Sequence, residues 1–249
     1  MQMNYQDAMA IVRRYGKPDY FVTFTANPAW PEIQSNLAPG EHAINRPDLV
    51  ARVFRLKLRE LLADLVERNV LGGSVAHTWT IEFQKRGLSH AHILIIMQPK
   101  DKPRTPEAVD RVVCAEIPDP DDPEQARLYR TVTTSMMHGP RGLCDPTAPC
   151  MNEHGVCSKG FPCQFSDRTH LPDEQYPIYR RRDNGRSVSK RGVQLDNRSV
   201  VPYNPFLTAK YDAHINVQVC TSIRAVKYLY KYIHKGHDRA VVVVAHDEV

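Results

Sequence analysis

Two histidines separated by a single residue, His90-Ala91-His92, open the apolar run Ile93-Leu94-Ile95-Ile96. Side chains alternate along an extended chain, so both imidazoles point to one face and can share one metal ion. Upstream, Glu82 and Gln84 lie on a common face of the run 74–84, and a hairpin would set either of them opposite the histidines. Two imidazoles with one oxygen ligand suit Mg²⁺, Mn²⁺ or Zn²⁺ and leave positions open for a phosphate oxygen. A His-x-His on its own is more often a wet polar face; the carboxylate opposite turns it toward metal chemistry.

Far downstream, residues 225–235 set Tyr228 and Tyr232 one helical turn apart on the same side, with Tyr230 facing away. Lys227, Lys231 and Lys235 form a second row beside them, suited to holding a phosphate backbone and to favouring phenolate over phenol. A tyrosine ionises at a pKa of about 10, so as a nucleophile it needs a phosphate polarised by a metal and positive charge near its oxygen. The same spacing also describes an amphipathic helix with tyrosine and leucine in a core and lysines in water.

Cys144, Cys150, Cys157 and Cys163 crowd into one loop-rich stretch, near His138 and His154, while Cys114 and Cys220 stand apart. In a reducing compartment such crowding favours metal over disulfides. His138, Cys144, Cys150 and Cys157 are therefore candidate ligands of a structural zinc, although no spacing is the tight Cys-x-x-Cys of a knuckle. After them come Arg180, Arg181, Arg182, Arg186, Lys190, Arg191 and Arg198, interleaved with Tyr176 and Tyr179. Cations that follow phosphates and rings that stack on bases would line a single-strand groove, so Arg180, Arg181, Arg182 and Arg191 are expected to contact DNA; a solvated charged loop is the plainer alternative.

The elements that must position these residues follow from periodicity and punctuation. Residues 6–15 read as a short helix, and 19–25, rich in aromatic and β-branched residues and stopped by Asn27-Pro28, as a strand. From Pro47 to about Asn69, apolar residues recur at helical spacing. The runs 74–84 and 89–97 read as strands joined by a hairpin loop at 85–88. Residues 106–116 and 123–137 look helical, 138–203 dissolves into an irregular Cys- and Arg-rich insertion, 214–219 reads as a strand and 222–234 as a helix. An edge strand at 240–245 would complete the set. The expected class is α+β, a central antiparallel sheet flanked by helices, as one domain over 1–249 interrupted by the insertion at 138–203.

The 249 residues, 42% of them hydrophobic, suffice for one large core. The net charge of +5 is a mild excess compatible with a polyanionic partner. No apolar run approaches membrane-spanning length and the first residues lack a signal-peptide layout, so an intracellular, soluble protein with no membrane partner is expected.

Taken in order, Phe21-Val22-Thr23-Phe24-Thr25-Ala26-Asn27-Pro28, Ile81-Glu82-Phe83-Gln84-Lys85-Arg86-Gly87-Leu88-Ser89-His90-Ala91-His92 and Lys227-Tyr228-Leu229-Tyr230-Lys231-Tyr232 closely resemble the Rep domain of Helitron transposases, of the HUH endonuclease superfamily. The stretches 197–205 and 214–217 share the resemblance. It implies an HUH nuclease core in which His90 and His92 bind a divalent metal, Mg²⁺ or Mn²⁺, and Tyr228 and Tyr232 are paired nucleophiles. It further implies cleavage of single-stranded DNA through a 5′-phosphotyrosine link, strand transfer in rolling-circle transposition, a covalently attached helicase domain downstream and a nuclear location. The chain itself carries no Gly-x-x-x-x-Gly-Lys-Ser/Thr loop, so ATPase activity is not expected of it. Two positions depart from the family pattern: Ser89 stands where proline is common, and Arg141 where a cysteine is common, so that in a zinc site there either Cys144 substitutes or the site is lost. His214 is an outside candidate for the third metal ligand. The competing readings are a catalytically silent single-stranded DNA-binding module from a domesticated transposon and a zinc-dependent hydrolase that uses metal-bound water.

Overall fold

The computed structural model describes residues 14–83, 88–139, 148–172, 176–220 and 241–244. Its centre is a five-stranded antiparallel sheet built from β1 (Tyr20–Thr25), β2 (Ser74–Phe83), β3 (Ser89–Met97), β6 (Ile215–Val219) and β7 (Val241–Val244), in the order β6-β1-β3-β2-β7. Between β3 and β6 lies a separate two-stranded hairpin, β4 (Ser187–Lys190) with β5 (Val193–Asp196). The α+β class and the antiparallel sheet flanked by helices agree with the patterning of the sequence.

Alternation in the strands makes the sheet two-faced. Tyr20, Val22 and Phe24 of β1, Ala91, Ile93, Ile95 and Met97 of β3, and Ile215, Val217 and Val219 of β6 all enter one buried cluster. The helix Pro47–Val66 covers that face with Val50, Val53, Phe54, Leu58, Leu61 and Leu65. Each of these large side chains, withdrawn from water, contributes roughly 1.5–3 kcal/mol. Proline at its first turn needs no hydrogen-bond partner for its nitrogen, and beyond Val66 the chain turns through Asn69 at φ 53°, a left-handed conformation that asparagine tolerates. At one rim Asp64, buried, takes hydrogen bonds from Tyr211 (2.5 Å), Lys210 (2.7 Å) and Arg68 (2.5 Å), tying the helix to the short helix Pro205–Tyr211.

A second cluster, Ile117, Val132, Met136, Met137, Leu195, Val200, Val201 and Tyr203, gathers the helix Ala126–Ser135 and the β4–β5 hairpin into a side lobe. The stretch 138–203 thus contributes to a core of its own and carries a hairpin that its composition concealed. The expected helix over 106–116 ends at Asp110. Past it Cys114 exchanges both backbone hydrogen bonds with Tyr203 at 2.8 Å, so pairing with a distant segment overrides local helical preference. The expected helix over 123–137 begins as a single 3-10 turn, Pro123–Gln125, and is α-helical over Ala126–Ser135. The expected strands at 19–25, 74–84, 89–97, 214–219 and 240–245 are present with ends displaced by one residue or so. The hairpin loop residues 84–87, residues 6–13 of the first expected helix and the whole expected helix 222–234 lie outside the described residues.

Candidate metal and nucleic-acid site

The face of the sheet turned away from the long helix carries the polar half of the alternation. Register puts Glu82 of β2 opposite His90 of β3, and His90 opposite Thr25 of β1, whose backbone N–H donates to the carbonyl of His214 at the start of β6. One row along, Thr80, His92, Thr23 and Asn216 follow the same lateral line across the four strands. The next line is Thr78, Leu94, Phe21 and Gln218, where Phe21 and Leu94 close the patch with an apolar edge. Two adjacent rows of hydrogen-bonding side chains thus share one sheet face, and the core packing behind them holds their backbone fixed.

The imidazoles are oriented from β1. Thr25 Oγ1 lies 2.6 Å from His90 Nδ1, and Thr23 Oγ1 lies 3.5 Å from His92 Nδ1. With Nδ1–H given to the threonine, His90 keeps its lone pair on Nε2, the tautomer a metal ligand needs. Phe21 stacks on His92 at 5.5 Å between centroids and 7° between planes, and the two histidine rings meet edge to face at 4.6 Å. Glu82 Oε2 is 3.4 Å from His92 Nε2. Burial, together with the neighbouring His92 and His214, pushes the pKa of His90 down to about 3. Burial also lowers that of His92, against the opposing pull of Glu82. Both rings are therefore neutral at physiological pH and have lone pairs to offer. The donor set of His90, His92 and Glu82 fits a divalent cation with one anionic oxygen and two nitrogens.

Of the other residues singled out from the sequence, Gln84, Tyr228, Tyr232, Lys227, Lys231, Lys235 and Cys144 lie outside the described residues. Three of the proposed zinc ligands come together: the ligand atoms of His138, Cys150 and Cys157 all lie within 4.8 Å of one another, a group that could hold a metal ion.

Of the arginines expected to contact DNA, Arg181 is buried, Arg180 and Arg182 are paired with acids, and Arg191 is exposed. Arg181 is buried, its guanidinium donating to the carbonyls of Asn197 and Val200 at 2.6 Å and of Ala115 at 3.3 Å, so it ties the side lobe together instead of facing a ligand. Arg182 grips Glu116 with two hydrogen bonds of 2.9 and 2.6 Å, and Arg180 lies 3.5 Å from Asp110. Burial raises the pKa of Glu116, but the Arg182 hydrogen bonds more than offset it and hold the carboxyl below its ordinary value. Arg186 pairs with Asp119 and Arg198 with Asp196. A run of one sign in sequence is thus largely matched by acids brought in from 110–119, which spacing alone could not show. Arg191 is exposed at the tip of the β4–β5 hairpin, at φ 51°.

Thr25, Thr23 and Asn216 were not foreseen as members of the site. Their signal was present as a Thr-x-Thr on β1 and an asparagine in an apolar strand, but it becomes readable only once the register with β3 is known. His214 Nδ1 and Asn216 Oδ1 are buried without a hydrogen-bond partner among the described residues, on the same face as the histidine pair. Buried polar atoms left unpaired cost free energy, and at a binding face they mark where a ligand's groups would be received.

Residues 1–95 match the family model described as the Helitron helicase-like domain at the N-terminus. The match covers less than half of the chain, ends within β3 and includes Glu82, His90 and His92. It supports a Helitron-related protein acting on nucleic acid. No curated protein matches the chain.

Proposed function

We propose that this chain is a metal-dependent endonuclease and strand transferase for single-stranded DNA in rolling-circle, Helitron-type transposition, with Tyr228 and Tyr232 as nucleophiles. The observation that supports the reading is the polar face of the sheet, where His90 and His92, each with a threonine at its Nδ1, share one face with Glu82, which lies 3.4 Å from His92. His90, His92 and Glu82 would hold the divalent ion, Mg²⁺ or Mn²⁺. Bound there it would supply positive charge to a non-bridging oxygen of the scissile phosphate. The phenolic oxygen of one tyrosine, its proton lost to solvent or a neighbouring base, attacks phosphorus. The bond from phosphorus to the 3′ oxygen breaks, and that oxygen leaves as a 3′-hydroxyl after taking a proton. The 5′ end remains as a phosphotyrosine ester, which conserves the phosphodiester energy for rejoining. The lysine row at 227, 231 and 235 lowers the cost of the phenolate and holds the backbone. A helicase domain joined downstream and a nuclear setting belong to the same reading.

The test is incubation of labelled single-stranded oligonucleotides with the chain and its Tyr228→Phe, Tyr232→Phe and doubly substituted variants, in Mn²⁺ or EDTA, resolved on denaturing gels. A protein-linked DNA band that requires Mn²⁺ and disappears in the double variant is expected. Cleavage without an adduct would mean a water nucleophile, and binding without cleavage of any sequence would mean a silent binding module.

A further inference from the structure

Away from the sheet face, His138, Cys150 and Cys157 form a compact cluster at the join between the side lobe and the stretch that follows it. Cys157 Sγ is 3.3 Å from His138 Nε2. Zinc bonds of about 2.3 Å to sulfur and 2.0–2.1 Å to nitrogen, at a tetrahedral angle, require a nitrogen-to-sulfur separation of about 3.6 Å. The pair is thus already near coordination distance, and Cys150 Sγ falls within 4.8 Å of both. The ligand atoms are also held. The His138 ring stacks on Phe161 at 4.4 Å, and its backbone N–H donates to Ser199 O at 2.7 Å. Cys150 and Cys157 are joined through a tight loop in which Ser158 N–H donates to Cys150 O, and Gly160, at φ 73°, turns back onto Cys157 O. Lys159 N–H donates to Cys157 Sγ at 3.4 Å, which fixes the position of the sulfur.

We propose that His138, Cys150 and Cys157 bind a structural zinc ion, distinct from the divalent ion of the sheet face. Soft sulfur donors beside one imidazole select zinc over magnesium or manganese, which prefer oxygen. Among the described residues no fourth such ligand atom joins the three; Cys163, whose backbone N–H donates to Arg198 O at 2.9 Å, lies outside the group. The ion ties residues 150–157, which have little apolar core of their own, to His138 and through it to the Val200 segment. Its role is to fix the loop, as a cross-link does in a segment too small to bury a core.

Metal content of the purified chain, prepared without added zinc, tests this directly, together with cobalt substitution. One zinc per chain is expected, retained in Cys163→Ser and lost in the Cys150→Ser/Cys157→Ser double variant, with the far-ultraviolet spectrum of the sheet preserved. Cobalt should give the intense visible bands of a tetrahedral sulfur-ligated site, and chelation should expose 148–163 to proteolysis before the remainder. Zinc absent from the wild type, or lost from Cys163→Ser but kept by the double variant, overturns the assignment. A Cys150–Cys157 disulfide in the metal-free protein under reducing preparation would overturn it too. Because none of these readouts involves DNA cleavage, failure here is separable from failure of the nuclease reading.

Discussion

Thr25→Val replaces one β-branched side chain by another of nearly the same shape, so the strand and its packing are retained and only Oγ1 is lost. That oxygen is 2.6 Å from His90 Nδ1. Without it the ring has a polar atom with no partner in a largely buried setting, a loss of about 1–3 kcal/mol if it stays in place. The ring can avoid that cost by rotating or by moving its proton to Nε2, and either response misdirects the lone pair meant for the metal. Removal of such an outer hydrogen bond typically weakens metal affinity about 10–100-fold, or roughly 1.4–2.7 kcal/mol. The assay is a Mn²⁺ titration by calorimetry or proton relaxation, paired with adduct formation over a range of Mn²⁺. The half-saturating concentration should rise by about 10–100-fold, adduct yield should recover at high Mn²⁺, and Thr25→Ser should restore most of the affinity. Folding stability should fall by no more than about 1–3 kcal/mol, the cost of the unpaired ring nitrogen. Unchanged Mn²⁺ affinity in Thr25→Val would refute the reasoning, since it would mean that the β1 hydroxyl does not aim the imidazole.

Further outcomes are expected of other residues. Glu82→Ala should weaken Mn²⁺ binding more than Glu82→Gln, while Gln84→Ala leaves it unchanged; the reverse order in the same titration would make Gln84 the oxygen ligand. Arg181→Met strands three carbonyls in the side lobe and should lower stability by about 3 kcal/mol or more in urea unfolding, with the salt dependence of DNA binding unaltered. Arg191→Ala should leave stability unchanged and reduce that salt slope by about one. Asp64→Asn breaks the contacts to Lys210 and Arg68 and should cost about 3–5 kcal/mol. Burial raises the pKa of Asp64, but the hydrogen bonds from Lys210, Tyr211 and Arg68 outweigh it and leave the folded value lowered. Its contribution is therefore present above the unfolded carboxyl pKa of about 4 and is lost as pH falls through the lower folded value. Wild-type urea midpoints should drop in that acid window, and those of Asp64→Asn should drop less.

The strands were legible because each alternates: Val22 and Phe24 against Thr23 and Thr25, Ile93 and Ile95 against His90 and His92. The helix Pro47–Val66 was legible because its apolar residues keep one stripe for five turns. Glu82 opposite the histidines followed from a hairpin with few ways to close. What sequence could not supply was lateral order. Nothing local says that β1 lies between β3 and β6, and so nothing local gives Thr25 to His90 or brings His214 alongside. The side lobe was opaque for a related reason. Its organising residues, Cys114 with Tyr203, Arg181 with the Ala115 carbonyl, and Glu116 with Arg182, are pairs 66 to 89 positions apart, where charge runs and helix propensity mislead.

The position of β1 has a consequence for how the chain is made. On one side it pairs Val22 with Ile93, but on the other it pairs Val22 with Val217, near the opposite end of the chain. Between the end of β3 at Met97 and the start of β6 at Ile215, well over a hundred residues must be synthesised, which takes on the order of ten seconds at ordinary elongation rates. Throughout that interval a nascent β1–β3–β2 sheet would present β1 as an open edge, with unpaired N–H and C=O groups ready to accept a strand from another chain. Any fragment that stops before β6 would keep that edge permanently. The demand on chaperones is thus set by strand order, and Ile215–Val219 is the segment that ends it.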